Sequence, residues 1–260
     1  MRKHLTLTLA LVAAIVATSA AIASAAGEKP TVVRAGNLEL TINGSVTPKA
    51  LPKNELAPIT LNVSGGIATL DGSHPPALKE VIVDTDKNGQ VNPQGLAVCK
   101  SSQLQSQDTA HAEAICKEAI IGTGTTDVQI QFPEQAPIPV HSKLLAFNGG
   151  TKGGVTTIFI HAYITVPTPA AIVTTVKISK EHKGPYGLHS VASVPKIAGG
   201  SGSVTAFSLT FHRLFTYKGK KQSYFEAKCS NGKFLAQAEA VFANGEKVKG
   251  GVVRTCTPKG

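Results

Sequence analysis

The chain of 260 residues contains 25 glycines, 15 prolines and no tryptophan, and 16% of its residues are charged. Because no long stretch has helical periodicity, this composition excludes a coiled coil or a helix bundle and favours an all-β protein. The formal net charge of +10 is unevenly distributed: residues 27–145 carry 9 Lys/Arg and 12 Asp/Glu, whereas residues 146–260 carry 15 and 4. A basic half favours contact with anionic polymers, and scattered solubilising lysines are the alternative interpretation.

Residues 1–26 have the pattern of a cleaved signal peptide. Residues 1–4 are basic, residues 5–17 are mainly apolar, and Ala23 and Ala25 fit the small-x-small cleavage rule. The apolar run is short for a membrane span, and an uncleaved N-terminal anchor is the alternative. The sequence therefore predicts a secreted or cell-envelope protein whose mature form has no transmembrane segment.

The first third of the mature chain is predicted to contain short strands separated by turns and prolines. Three prolines between residues 47 and 58 leave little scope for ladder pairing in that connection. The predicted strands span residues 38–42, 59–63, 67–70 and 80–84.

The end of the strand at 80–84 resembles the start of a calcium-binding loop. Asp84, Asp86 and Asn88 occupy alternate positions and Gly89 follows them, as in the first six positions of an EF-hand loop. Gly95 stands where that motif has a bidentate glutamate, and the flanking residues are predicted to be strands. A hairpin turn is therefore the alternative to a calcium site, and no other cofactor is predicted.

Four cysteines, an even number in an exported chain, predict two disulfides. Among three possible connectivities we favour the local pairs Cys99–Cys116 and Cys229–Cys256, because each pair closes within one structural unit. No Cys-x-x-Cys or matching histidine spacing supports zinc instead. The single predicted helix, residues 108–119, carries Cys116 on its apolar stripe, so the first disulfide would fasten this helix to the preceding strand.

The clearest strand covers residues 155–166, where an apolar face alternates with an aromatic-rich face. The first face has Ile158, Ile160, Ala162, Ile164 and Val166, and the second has Phe159, His161 and Tyr163. About a dozen strands with closely spaced turn signals predict an antiparallel β-sandwich over residues 27–260, with one short helical insertion after Cys99. Two β domains, 27–148 with the helix and 149–260 with the excess of basic residues, are the alternative.

The C-terminal disulfide adds a geometric argument for the sandwich. Strands are predicted at 222–229, 233–242 and 246–256, joined by tight turns. If the three strands lay side by side, the outer two would be roughly 9.5 Å apart, whereas a disulfide needs Cα atoms within about 7 Å of each other. A Cys229–Cys256 bond therefore requires the chain ends to bend together or the outer strands to belong to different sheets.

A hairpin precedes this disulfide, with residues 204–217 as its first strand and a turn centred on Gly219-Lys220. That register places Arg213 opposite Glu226, a pair that would suit an anion or substrate site. A structural ion pair, or a β-bulge that turns Arg213 outward, is the alternative interpretation. The full candidate cluster consists of Arg213, Glu226, Tyr224 and His212.

Three stretches resemble a group of uncharacterised secreted bacterial proteins. They are residues 71–78 (DGSHPPAL), residues 86–89 (DKNG) and the pattern Phe211-His212-Arg213, Ser223-Tyr224-Phe225 and Cys229. The resemblance covers most of the mature chain. It implies export and a β fold, and it assigns no function and no functional residue.

These patterns predict an exported protein that is not an enzyme and that binds an anionic cell-envelope polymer through its basic C-terminal half. Lys218, Lys220 and Lys221 are the first candidate contacts, no catalytic residue is assigned, and no motif for specific nucleic acid recognition is found. Two alternatives are open: a hydrolase or lyase that acts on an envelope polymer with the candidate cluster, and a purely structural module. The ligand and the oligomeric state are not predicted.

Overall fold

The computed structural model describes residues 28–260, so the predicted signal peptide lies outside the described residues. This part of the chain is mostly β, with one α-helix and short 3₁₀ turns at Ser101–Gln103, Lys117–Ala119 and Ala198–Gly200. The helix is α1 (Thr109–Ile115). The strands, in chain order, are β1 (Thr31–Ala35), β2 (Leu38–Thr47), β3 (Ala50–Pro52), β4 (Ala57–Thr69), β5 (Leu78–Asp86), β6 (Gly89–Val91), β7 (Ile120–Ile130), β8 (Ile138–Lys152), β9 (Val155–Ile164), β10 (Ala170–Lys180), β11 (Tyr186–Ser193), β12 (Gly202–Phe211), β13 (Leu214–Tyr217), β14 (Lys220–Ser223), β15 (Phe225–Ala227), β16 (Lys233–Phe242), β17 (Lys247–Thr255) and β18 (Thr257–Lys259).

Most strands belong to one large antiparallel sheet. Its hydrogen-bonded order is β1-β2-β4-β12-β7-β8-β9-β10-β11-β5-β16-β17, and β15 joins it by pairing with β4 and β6. The two ends of this order, β1 and β17, lie against each other, so the sheet is nearly barrel-shaped. The predicted sandwich is not confirmed, because the ladder runs without a break through strands that a sandwich would divide between two sheets.

The seam between the two ends of the sheet is closed by side-chain packing. Gly250 of β17 has no side chain, and a Cβ atom there would lie 2.5 Å from Val33 Cγ2 of β1 and 3.1 Å from Ile42 Cδ1 of β2. Both side chains therefore pack directly on the β17 backbone. Beside them, Phe242 and Val248 belong to the buried cluster that joins β1 and β2 to β16 and β17.

Strands from both halves of the chain alternate in the sheet. β5, from the acidic half, pairs with β11 on one side and β16 on the other, both from the basic half. The boundary between residues 148 and 149, at which a two-domain division was considered, falls within β8 (Ile138–Lys152). The strands that carry the basic residues of the C-terminal half therefore belong to the same sheet as the strands of the acidic N-terminal half.

The faces predicted for residues 155–166 are those of β9 as far as Ile164, where the strand ends. Val166, which was predicted on the apolar face, lies beyond that end and is 43% exposed. Ile158, Ile160, Ala162 and Ile164 point into the interior of the curled sheet. Phe159 and His161 lie on the outer face, where the segment that contains α1 covers them, and His161 is fully buried there. One strand therefore contributes to two cores, one on each side of the sheet.

The cover over β8 and β9 is the predicted helical insertion, and it is fastened by the predicted Cys99–Cys116 disulfide. Asp108 caps α1, since its Oδ1 accepts a hydrogen bond from the backbone N–H of His111 at 2.8 Å. The helix predicted over 108–119 ends at Ile115, and a 3₁₀ turn continues to Ala119. Beneath it lies a buried cluster that includes Leu104, Leu145 and Phe147.

The second predicted disulfide, Cys229–Cys256, is also present, with its Cα atoms 6.0 Å apart. Strand β15, which precedes Cys229, pairs with β4 and β6, whereas β17, which precedes Cys256, pairs with β16. The outer strands of the predicted meander are thus not neighbours of one central strand. The sequence argument favoured a sandwich because the strands that precede Cys229 and Cys256 could not both flank one central strand. A single curled sheet also satisfies this requirement.

Candidate functional site

The interior of the curled sheet contains a cavity of about 430 Å³. Every strand of the main hydrogen-bonded order except β1 contributes to its lining. The lining is overwhelmingly apolar, and representative side chains are Leu61, Ile160, Val176, Leu188, Ala192 and Phe207. Ligand pockets in proteins commonly have volumes of about 300–1,000 Å³ and similar apolar linings, so this cavity has the size and character of a small-molecule site.

The cavity follows from the number of strands and the small size of several inward-facing residues. About eight strands make a closed sheet whose interior side chains just fill it, and more strands leave a wider space. Twelve strands form the curled order here. Alanines at 236, 238 and 240 in β16 and at 192 in β11 all line the cavity and leave part of that wider space unfilled.

A few polar side chains are included in the lining. The carboxylates of Asp86 and Glu226 belong to residues only 6% and 8% exposed. Glu226 accepts hydrogen bonds from Gln90 Nε2 at 2.8 Å and Asn92 Nδ2 at 3.3 Å. Arg254, 8% exposed, donates to the carbonyl oxygen of Gly44 and to Asn43 Oδ1, both at 2.7 Å. Polar groups that fix the orientation of a ligand in an apolar pocket are typically few and buried in this way.

The register predicted for the hairpin after residue 204 is wrong by two positions. Tyr217 pairs with Lys220 and Leu214 with Ser223, so the turn consists of Lys218 and Gly219. Both turn residues have positive φ, 49° and 75°, as a two-residue hairpin turn of type I′ requires. The predicted turn placed Gly219 and Lys220 at its centre, whereas the structure has Lys218 and Gly219 there and Lys220 in β14.

Arg213 and Glu226 are therefore not paired. The backbone N–H groups of His212 and Arg213 both point at the carbonyl oxygen of Ile121, a bulge that ends β12 before the hairpin begins. Arg213 Nη2 instead lies 3.3 Å from Glu118 Oε2. A bulge is therefore present, but Arg213 is only partly exposed and its buried Nε has no hydrogen-bond partner within the described residues.

The other two residues of the candidate cluster also have separate partners. The Tyr224 hydroxyl donates to Asn148 Oδ1 at 3.4 Å, and burial raises the pKa of Tyr224 well above its usual range. The His212 ring lies 3.1 Å from the carbonyl oxygen of Thr210. No hydrogen bond within the described residues joins any two side chains of the cluster, so this geometry gives a hydrolase or lyase no assembled acid–base pair.

The three lysines chosen as polymer contacts lie together at the exposed tip of the β13–β14 hairpin. Lys218, Lys220 and Lys221 are all exposed. Lys218 Nζ lies 5.4 Å from the centre of the Tyr217 ring, within the range of a cation–π contact. The tip therefore presents three positive charges on a short, fixed turn.

Two of the three calcium candidates, Asp86 and Asn88, contact each other, and Asp84 has a different partner. Asp86 Oδ1 accepts the N–H of Asn88 at 2.8 Å, and Asn88 Oδ1 accepts a hydrogen bond from the Ser230 hydroxyl at 2.9 Å. Asp84 lies on the outer face of β5, 2.6 Å from His189 Nδ1. Calcium binding by these residues stays a prediction.

Sequence reasoning missed two features. The cavity leaves a faint signal, the recurrence of Ala, Ser and Gly at inward positions of strands that otherwise carry Val, Ile and Leu. The contact of His189 with Asp84 has no local signal, because the two residues are 105 positions apart and become neighbours only through the β5–β11 pairing.

Comparisons with protein-family models, with curated proteins and with solved structures found no match to this chain. Within residues 28–260, no helix has the length and apolar character that a membrane crossing requires. The two disulfides are compatible with an extracellular protein.

Proposed function

We propose that this chain is an exported, non-catalytic binding protein whose curled sheet encloses a small apolar or amphiphilic molecule. The observation that carries the proposal is the apolar cavity of about 430 Å³ inside the sheet. Export is supported by the N-terminal sequence pattern and by the two disulfides.

An apolar cavity of this size favours the binding of an apolar molecule. An engineered cavity of about 150 Å³ lined by Leu, Ile and Phe stays dry and takes up benzene. The present cavity is larger, and Leu, Ile and Phe line it together with Val, Ala and a minority of polar residues. Atoms that line a void lack contact partners on one side, and a ligand restores those contacts.

A fluorescent apolar probe tests the proposal. N-phenyl-1-naphthylamine is uncharged, so it reports apolar binding without attraction to lysines. We expect saturable enhancement of its fluorescence, and we expect Ala192→Phe, which projects a ring into the cavity, to reduce probe affinity by about tenfold or more. The matched control is Val191→Phe, the neighbouring position of β11, whose side chain is absent from the cavity lining.

Circular dichroism on both variants establishes that each is folded before binding is compared. Equal probe affinity in the two folded variants, or no saturable enhancement with the unmodified chain, would reject the cavity as the binding site.

Binding of an anionic polymer is a second candidate, and the lysine-bearing hairpin tip supports it. Lys218, Lys220 and Lys221 are exposed and close in sequence, so a polyanion can contact all three at once.

Charge removal tests the second candidate. We expect a variant with Gln at 218, 220 and 221 to elute from dextran sulfate at lower salt than the unmodified chain, because three exposed charges are lost. A variant with Gln at 233, 247 and 249 removes the same net charge elsewhere and serves as the control. Equal elution shifts for the two variants would mean that retention follows net charge and that the hairpin tip is not a binding site.

A further inference from the structure

A group of potential metal ligands lies on the outer face of the sheet, away from the cavity. Asp84 of β5 and His189 of β11 are directly opposite each other in the strand register. Glu181 follows the last residue of β10, the strand on the other side of β11, and its N–H donates to the carbonyl oxygen of Gly187. One potential ligand atom from each of these three residues lies within 4.8 Å of the other two.

The distances in this group require only small movements to surround a zinc ion. His189 Nδ1 lies 2.6 Å from Asp84 Oδ1 and 3.8 Å from Glu181 Oε2. Zinc bonds to nitrogen and carboxylate oxygen of about 2.1 Å in a tetrahedral site place the ligand atoms roughly 3.4 Å apart. The first of these separations must therefore widen and the second narrow, each by less than about 1 Å. The Asp84 and Glu181 oxygens lie within 4.8 Å of each other, so their separation must narrow by at most about 1.4 Å.

One atom of the group has no partner in the protein. Glu181 Oε2 is buried and, within the described residues, accepts no hydrogen bond, although it lies next to the His189 ring. A buried carboxylate oxygen without a partner is costly. A divalent cation between the three side chains would satisfy this oxygen and would balance the two carboxylate charges.

We propose that Asp84, Glu181 and His189 form a binding site for a divalent transition-metal ion of the zinc type. His189 would bind through Nδ1, so the ring must be neutral with its proton on Nε2. Two carboxylates and one imidazole are a ligand set suited to zinc, and three protein ligands leave a fourth position for water. The site does not depend on the apolar cavity.

Zinc titration tests the site. The chain, produced without a histidine tag and treated with a chelator, is titrated with ZnCl₂ by isothermal calorimetry. We expect one zinc ion per chain, and we expect His189→Gln, Asp84→Asn and Glu181→Gln each to weaken binding by about tenfold or more, since loss of even an outer partner costs that much.

The chain provides a matched control in a second cross-strand His–Asp pair. His141 Nδ1 lies 2.7 Å from Asp127 Oδ1 on the outer face of β7 and β8, and no third potential ligand among residues 28–260 joins them. We expect His141→Gln to leave zinc binding unchanged.

Nitrogen-15 NMR spectra of the histidine rings test the site in the unmodified chain, without any substitution. We expect zinc to shift the Nδ1 resonance of His189 in the unmodified chain. Binding only at millimolar zinc, equal loss in His189→Gln and His141→Gln, or a His189 resonance that zinc does not move would each overturn the proposal.

Discussion

His161 shows how the covering segment acts on a single residue. Its Nε2 lies 2.9 Å from the carbonyl oxygen of Gln107, so the proton is held on Nε2, and its buried Nδ1 has no hydrogen-bond partner within the described residues. Burial is the main cause that lowers the pKa of His161 below its ordinary value of 6.5. A second proton on this ring would lie on Nδ1, where no hydrogen-bond acceptor is available within the described residues.

This burial predicts a pH dependence of stability. Above pH 6.5 the ring is neutral in both the folded and the unfolded chain, so its contribution is fully present. As the pH falls below 6.5 the unfolded chain gains a proton that the folded chain resists, and the free energy of unfolding decreases. We expect His161→Gln, which cannot titrate, to lose less stability than the unmodified chain between pH 7 and pH 5 in urea unfolding.

His141→Gln is the control, because His141 lies on the same outer face but is exposed. If both variants showed the same acid slope as the unmodified chain, burial of His161 would not be the cause.

Individual residues also mark where prediction from sequence succeeds and where it fails. The alternation of Ile158 and Ile160 with Phe159 and His161 identified both faces of β9, because side-chain direction repeats every two residues in any strand. The hairpin register failed because it depends on the backbone of Lys218, whose positive φ is unusual for lysine. Such a conformation is imposed by the turn and not by the residue.

At the scale of strands, the seam of the sheet is closely packed around one glycine. Val33 and Ile42 pack where a side chain on Gly250 would lie, whereas a Cβ on the adjacent Gly251 would have no neighbour closer than the carbonyl oxygen of Ala236 at 3.9 Å. The two glycines are consecutive in β17, and only the first faces the seam.

Valine substitution at these two positions tests the seam. We expect Gly250→Val to lower the free energy of unfolding by about 1–3 kcal/mol, because the added side chain collides with Val33 and overpacks the seam. We expect Gly251→Val to change it by about 0.5 kcal/mol or less. Urea unfolding of both variants gives the comparison, and equal losses would mean that the seam does not rely on close packing at Gly250.

At the scale of the whole molecule, the sequence predicted most of the strands, the helical insertion and both disulfides, but not the overall shape. It divided β4 (Ala57–Thr69) into two strands at Gly65-Gly66 and did not identify β1 (Thr31–Ala35). Inward and outward side chains alternate in the same way in a sandwich and in a curled sheet. The difference lies in pairings between distant segments, such as β5 with β16, which no local pattern encodes. The cavity depends on that shape, so the small inward-facing residues of the strands could not identify it without the strand pairings.

Methyl NMR spectroscopy of isoleucine side chains tests the central claim most directly. The chain, labelled at isoleucine δ1 methyl groups, is titrated with N-phenyl-1-naphthylamine. A ligand inside the sheet is predicted to shift the resonances of Ile160, Ile172 and Ile178, which line the cavity, and to leave that of Ile115, which is 49% exposed on α1, unchanged. Shifts confined to exposed methyl groups, with the three interior resonances unmoved at saturation, would contradict an internal binding site.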